Sequence, residues 1–202
     1  GFVLAPAALV LGAGPAEGFL IWAVVFGSVI VHEAGHAIAA HRGGLPVLGI
    51  YFSWIPFVGV GPGPLRARGL AALAGPAASL SLAGALALWP AAREQLVPGA
   101  AHLWLGMPAG LALGFNLLAA GINLLPFRPL DGGLALQAGL TAWRGAPAAA
   151  RTMRVLGAVG ALALGALAGA ASGELGITIG LLAFVIALAA INTRVPASAN
   201  GS

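Results

Sequence analysis

The chain has 202 residues, of which 60% are hydrophobic and 7% are charged, and its mean hydropathy is +1.00. Soluble domains carry roughly 25% charged residues, so this composition excludes a soluble globule, a disordered chain and a coiled coil. The absence of cysteine excludes disulfides and thiolate metal sites. The net charge of +4 comes from nine arginines against five acidic residues, and the arginines are spread along the chain, so we expect no basic patch for nucleic acid.

Six apolar segments predict five to six transmembrane helices, because one span needs about 20 mostly apolar residues. In chain order they are Phe2–Leu11, Gly18–Ala40, Leu65–Trp89, Ala101–Leu125, Val155–Ala171 and Leu175–Ile191. The first is either a short tilted span or an interfacial helix. Pro90 and Pro126 are expected to follow the ends of the third and fourth segments. We therefore predict an all-α polytopic membrane protein with one integral membrane domain over residues 1–195. Residues 196–202 would be a polar tail or an added remnant.

The stretch Gly43–Pro64 differs from these segments because it contains four prolines and several glycines. Its β-branched and aromatic residues favour extended structure. Two short strands around Ser53–Pro56 are predicted, as a hairpin or loop inserted into the membrane. Irregular backbone at that depth requires cover by protein or by a wet cavity. The alternative is a hydrophobic loop that lies on the lipid surface.

The arginines predict the orientation, since basic residues favour the cytoplasmic side of short loops. If Arg42 is cytoplasmic, alternation of the spans places eight of the nine arginines on that side, and only Arg93 outside. The acids Glu17, Glu94 and Glu174 also fall outside. Asp131–Arg144 would then be a helix or a re-entrant piece on the cytoplasmic side. We expect an integral protein of a bacterial cytoplasmic membrane.

The second segment contains the motif His32-Glu33-Ala34-Gly35-His36, which is H-E-x-x-H. Residues four apart lie on one face of a helix, so both imidazoles can reach one metal ion. Glu33 is placed about 100° around the helix, where it would contact a metal-bound water. Two imidazoles without a soft ligand favour one zinc ion. The alternative is a hydrogen-bonded polar group inside a helix bundle.

Catalytic zinc sites use three protein ligands and one open position. His41 lies about 180° around the helix from His32, and His102 begins a later span on the opposite side of the membrane. Asp131 is the only aspartate and is predicted near the side of His36. Followed by two glycines, Asp131 could also be a turn residue, but with the histidine pair present we predict that it is the third ligand.

Asp131 completes a second motif, Asn123-Leu124-Leu125-Pro126-Phe127-Arg128-Pro129-Leu130-Asp131-Gly132, or N-x-x-P-x-x-x-x-D-G. With H-E-x-x-H in an earlier span, this pair of motifs resembles the site-2 protease family of intramembrane zinc metalloproteases. The resemblance covers a core from about Gly18 to Gly133 and leaves the C-terminal helices, residues 155–191, unassigned.

The resemblance implies zinc ligation by His32, His36 and Asp131, with Glu33 as the general base. It also implies that Asn123 lies beside the metal and orients substrate or stabilises the oxyanion. Ala74-Gly75-Pro76 matches the family's Gly-Pro in the middle core helix, and Ser79 stands where the family usually has Asn. Gly59-Val60-Gly61 resembles the Gly-x-Gly of the family's membrane-embedded β element, which we expect to bind substrate.

Asn116 lies seven residues before Asn123, on the same helix face, so it is a further candidate for substrate binding or for a polar path to the metal. The alternative for Asn116 is an interhelical hydrogen bond.

The expected function is zinc-dependent cleavage of single-span membrane proteins inside the bilayer, with the active site towards the cytoplasm. By resemblance, the substrate would be an anti-sigma factor or a signal-peptide remnant. One alternative is a non-catalytic relative that binds membrane proteins; the presence of Glu33 argues against it. Another is a small metal transporter, which would need polar groups continuing to the far side of the membrane. The outer halves of the spans consist almost entirely of Ala, Leu, Gly and Val.

Overall fold

The computed structural model describes residues 15–51, 56–96, 106–171 and 173–192. Six helices and one two-stranded antiparallel sheet occupy these residues. In chain order they are α1 (Pro15–Arg42), β1 (Val47–Tyr51), β2 (Phe57–Val60), α2 (Leu65–Leu96), α3 (Gly106–Asn123), α4 (Asp131–Arg144), α5 (Ala146–Ala170) and α6 (Gly173–Ile191). The chain divides into two compact units, one of residues 1–63 and 74–122, the other of residues 64–73 and 123–202.

In the first unit, a tight turn leads from α1 into the hairpin. The amide of Gly43 donates to the carbonyl of Ala39, and the amide of Leu45 donates to that of Ala40. Gly44 has a φ of 71°, a left-handed conformation that glycine adopts without strain and that commonly ends a helix. The chain therefore turns back, and both strands contact α1.

The hairpin pairs Gly49 with Gly59 and Tyr51 with Phe57, with an irregularity between Val47 and Gly49. The rings of Tyr51 and Phe57 stack across the strands, with centroids 5.0 Å apart. Gly59 lies under the Tyr51 ring, because a β-carbon there would come 2.8 Å from Cε2 of the tyrosine. The two strands predicted around Ser53–Pro56 are confirmed, although residues 52–55 themselves lie outside the described part.

In the second unit, α5 and α6 form an antiparallel pair built on small residues. A β-carbon at Gly157 would come 2.6 Å from that of Ala190, and one at Gly180 would lie 3.7 Å from that of Ala168. Small residues at such positions let membrane helices approach closely. The helix α4 also packs on α5 and is joined to it by Gly145, whose φ is 82°.

Within the described residues, three helices are long and apolar enough to cross a membrane, namely Ala16–Arg42, Leu65–Trp89 and Ala146–Ala170. Two shorter apolar helices, Ala109–Asn123 and Gly176–Ile191, accompany them. Large apolar side chains on these helices are exposed, as Leu88, Leu162 and Ile191 illustrate. The fold is therefore that of a mostly helical membrane protein with a small β hairpin, as the sequence predicts.

Several segment boundaries differ from prediction: α1 spans Pro15–Arg42 instead of Gly18–Ala40, and α6 begins at Gly173 instead of Leu175. The helix α2 continues through Pro90 to Leu96, because a membrane helix tolerates the proline's missing backbone bond. The helix α5 begins at Ala146 instead of Val155, since Pro147 suits a first helical turn and Arg151 and Arg154 lie exposed on the helix. In the described part of the chain, α3 ends at Asn123, before the end predicted at Leu125. Phe2–Leu11, His102 and the tail lie outside the described residues.

Candidate metal centre

The H-E-x-x-H motif lies in the C-terminal half of α1, where its three polar side chains are buried. His32, Glu33 and His36 are 8%, 6% and 9% exposed. The two imidazole rings meet edge to face, with centroids 4.9 Å apart. The helical spacing therefore brings the two imidazoles together, as the motif predicts. His41 is exposed in the last turn of the same helix, apart from this buried pair.

The helix α2 approaches the motif closely because glycines lie at the crossing. A β-carbon at Gly35 of α1 would come 2.5 Å from the carbonyl oxygen of Ala74 and 2.8 Å from the β-carbon of Ala78. On α2, a β-carbon at Gly75 would overlap Nε2 of His36 and come 2.7 Å from Nε2 of His32. The Nε2 atoms of both histidines therefore lie against the bare backbone of Gly75.

Ser79, one turn after Gly75, contacts the other side of the first imidazole. Its Oγ lies 3.0 Å from Nδ1 of His32, and the serine is 1% exposed. The sequence indicates only that a small polar residue replaces the family's usual Asn here. The hydrogen bond joins residues 47 positions apart, so it depends on the helix crossing, which the sequence pattern does not reveal.

Asp131 is the first residue of α4, and the two glycines after it explain its position. A β-carbon at Gly132 would overlap the backbone of Leu124, and one at Gly133 would overlap the backbone of Phe127. The loop from Leu124 to Leu130 therefore folds tightly over the start of α4. The Asp131-Gly132-Gly133 sequence therefore places the Asp131 carboxylate at the start of α4, where the helix packs on the loop that precedes it.

Two side chains of that loop anchor it within the second unit. The ring of Phe127 lies against Gly160 of α5, where a β-carbon would approach Cζ to 2.7 Å. Nη1 of Arg128 donates to Oε1 of Gln137 on α4 at 2.7 Å. Burial lowers the pKa of the Arg128 guanidinium, and the charge of Arg68 lowers it further. An arginine guanidinium keeps its charge in proteins, so the bond from Arg128 to Gln137 is a charge-assisted hydrogen bond between the loop and α4.

The predicted ligand set consists of two imidazoles of the first unit, His32 and His36, and one carboxylate of the second unit, Asp131. Each of these side chains offers one ligand atom for a metal ion. Their joint ligation of one ion stays a prediction.

Asn116 is fully buried in α3, where its amide group connects two helices. Its Nδ2 donates to Oγ of Ser28 on α1 and to the carbonyl of Ala112, both at 2.8 Å. The predicted alternative, an interhelical hydrogen bond, is therefore formed. None of the described residues donates to its Oδ1, and a substrate or solvent role for that atom stays a prediction.

The other predicted site residues are half-buried or lie in the hairpin. Asn123 is the last residue of α3 and is half-buried. Gly59 and Val60 lie in β2, and the amide of Gly61 donates to the carbonyl of Pro46 at 2.8 Å. Roles for Asn123 and for Gly59-Val60-Gly61 in catalysis or substrate binding stay predictions.

The chain is 35% identical over 141 residues to "Putative zinc metalloprotease Rip3" of Mycobacterium tuberculosis, in each of the strains Erdman and H37Rv. The match covers 66% of this chain and 32% of the relative, so the chain spans about a third of the length of the curated relatives it matches. No family model matches the chain.

A solved structure, the site-2 protease from Methanocaldococcus jannaschii, superposes with a TM-score of 0.66 at 20% identity. The superposition covers 100% of this chain and 90% of that protein. The chain therefore has the fold of a site-2 protease, and its resemblance to that family, predicted from the two motifs, is confirmed.

Proposed function

We propose that the protein is a membrane-embedded zinc endopeptidase that cleaves single-span membrane proteins. The observation that carries this proposal is the buried imidazole pair of His32 and His36, whose ring centroids lie 4.9 Å apart and whose Nε2 atoms both lie against Gly75. The relatives named as a zinc metalloprotease and as a site-2 protease support the same conclusion.

The side chains present fit a zinc ion. Zinc takes imidazole nitrogen and carboxylate oxygen as ligands, so His32, His36 and Asp131 would hold the ion. Two imidazoles and one carboxylate also leave a fourth position open, as catalytic zinc sites require. The Nε2 atoms of His32 and His36 both lie against Gly75, where the missing side chain leaves room for coordination.

When bound, zinc would supply Lewis-acid chemistry, polarising a water molecule and the substrate carbonyl. Glu33 is buried beside the two histidine ligands. In the proposed reaction, Glu33 takes a proton from the attacking water and returns it to the leaving amine. The side-chain amide of Asn123 would donate to the developing oxyanion.

A helical substrate must unwind before attack, because every carbonyl in a spanning helix is hydrogen-bonded. We propose that β2 holds the unwound segment as an added strand. The Gly61 amide points towards β1, and backbone groups alternate in direction along an antiparallel strand. Val58 and Val60 therefore direct their backbone groups to the outer edge of β2, and no third strand pairs with β2 among the described residues.

The strand addition is tested by Val58→Pro and Val60→Pro, which remove an outward N–H but leave the pairing with β1. Each lost bond should lower cleavage roughly 2–10-fold without lowering the zinc content. Val58→Ala and Val60→Ala keep the N–H and serve as controls. Full activity in both proline variants would contradict the proposed role of β2.

The proteolytic function is tested by cleavage of a tagged panel of single-span proteins by the purified protein in lipid vesicles. The parent should cleave at least one substrate, and Glu33→Gln should cleave none while retaining zinc. Zinc flux across the vesicles without cleavage would instead support a transporter. Zinc binding without cleavage or flux would support a relative that only binds membrane proteins.

A further inference from the structure

Ser79 contacts the Nδ1 side of the His32 ring, whereas the Nε2 side of the ring faces His36, the other predicted histidine ligand. Nδ1 of His32 is 3.0 Å from Oγ of Ser79, and Nε2 lies against Gly75. Both side chains are buried. The helix α2 therefore contacts both nitrogens of this imidazole, Nδ1 through Ser79 and Nε2 through Gly75, since these two residues are one turn apart.

A neutral imidazole carries one N–H, and a metal ion needs the lone pair of the other nitrogen. Nε2 of His32 is the nitrogen that lies near His36, so it is the ligand atom. Nδ1 then carries the hydrogen, and the hydroxyl oxygen of Ser79 lies at the distance of an ordinary N–H···O bond.

We propose that Ser79 is a positioning residue that accepts the Nδ1–H bond of His32 and holds Nε2 towards the metal. Ligating histidines in proteins commonly donate their second N–H to a neighbouring acceptor, which fixes the tautomer and the ring orientation. This inference rests on the proposed function, because it requires His32 to be a zinc ligand.

The competing explanation is that Ser79 is merely small. The α1–α2 crossing is tight at Ala74 and Ala78, so a small side chain would also be favoured here. The two explanations differ for alanine, which is smaller than serine and lacks only the hydroxyl. If size alone matters, Ser79→Ala leaves the metal site unchanged.

The experiment measures the zinc dissociation constant by chelator competition in the metal-free protein, reconstituted in lipid, and the absorption spectrum after loading with cobalt(II). Ser79→Ala should weaken zinc binding about 10–100-fold and alter the cobalt spectrum. Ser79→Thr retains a hydroxyl and should stay near the parent. Ser81→Ala is the matched control, because Ser81 is exposed on the same helix and its hydroxyl donates to the carbonyl of Ala77, away from the histidines.

Equal zinc affinity and equal cobalt spectra in the parent and Ser79→Ala would overturn the role of Ser79 and leave the zinc site intact. Equal weakening in Ser79→Ala and Ser79→Thr would assign the position to packing and also overturn it. A parent that binds no zinc would overturn the proposed function and this inference together. Weakening in Ser79→Ala alone supports the positioning role.

Discussion

Gly75 and the two imidazoles share one small space at the crossing of α1 and α2. A methyl group at Gly75 would overlap Nε2 of His36 and come 2.7 Å from Nε2 of His32. Both nitrogens are predicted zinc ligands, so the missing side chain serves the chemistry as well as helix packing.

Gly75→Ala should therefore displace both imidazoles and reduce the zinc content of the purified protein to a small fraction of the parent's. Gly84→Ala is the matched control on the same helix, because in the described part of the chain no side chain or neighbouring element lies within 4 Å of a β-carbon there. Zinc content measured by mass spectrometry distinguishes the two. Full zinc occupancy in Gly75→Ala would show that the ligands can bind zinc without the space at this position.

At the scale of elements, the loop from Leu124 to Leu130 and the start of α4 form one packed piece. Gly132 and Gly133 pack on the loop backbone, whereas among the described residues no side chain or neighbouring element lies within 4 Å of a β-carbon at Gly139, later on the same helix. The position of the Asp131 carboxylate thus depends on two glycines that are not themselves ligands.

We expect Gly132→Ala and Gly133→Ala to weaken zinc binding strongly, because backbone atoms cannot move aside as a flexible side chain can. Gly139→Ala should bind zinc as the parent does, and its slightly higher helix propensity should leave the fold intact. Chelator competition measures all three. Equal affinities across the set would contradict the dependence of Asp131 on the packed loop.

The hydrogen bond from Asn116 to Ser28 joins α3 to α1 one turn before His32. Double-mutant cycles give such interhelical bonds about 0.6 kcal/mol on average, with a maximum near 1.7 kcal/mol. Ser28→Ala, Asn116→Ala and the double variant should show a coupling of this size in reversible unfolding. A coupling near zero would mean that the bond does not stabilise the contact.

Local sequence signals predicted the elements of the site better than the contacts between them. The i, i+4 spacing of His32 and His36 predicted their shared face, and the β-branched and aromatic residues of Gly43–Pro64 predicted the strands of the hairpin. Helix α4 has the predicted bounds, Asp131–Arg144. Ser79 was not predicted to contact His32, because the two residues meet only where two helices cross, and no periodic pattern encodes that crossing.

At the scale of the whole molecule, the apolar surface and the arginines together predict a membrane orientation. The helix α5 is long enough to span, and Arg151 and Arg154 lie near its N-terminal end. The acid Glu174 follows its C-terminal end. Basic residues favour the cytoplasmic side, so the N-terminal end of α5 should face the cytoplasm.

The absence of native cysteine makes this orientation directly measurable. Cysteines introduced at the exposed positions Ala142 and Ala170 should react with a membrane-impermeant maleimide from opposite sides, Ala142→Cys only from the cytoplasmic side. Labelling of intact and inverted vesicles gives the comparison. Reaction of both variants from one side would contradict α5 as a span.

The central claim is that His32, His36 and Asp131 hold one zinc ion beside Glu33, and zinc per chain tests it most directly. The parent, Glu33→Gln and His41→Ala should each carry one zinc, since His41 is an exposed histidine at the end of the same helix. Asp131→Ala should lose the ion under the same dialysis, because two imidazoles alone bind zinc weakly. Full zinc retention by Asp131→Ala, or an absence of zinc from the parent, would contradict the account.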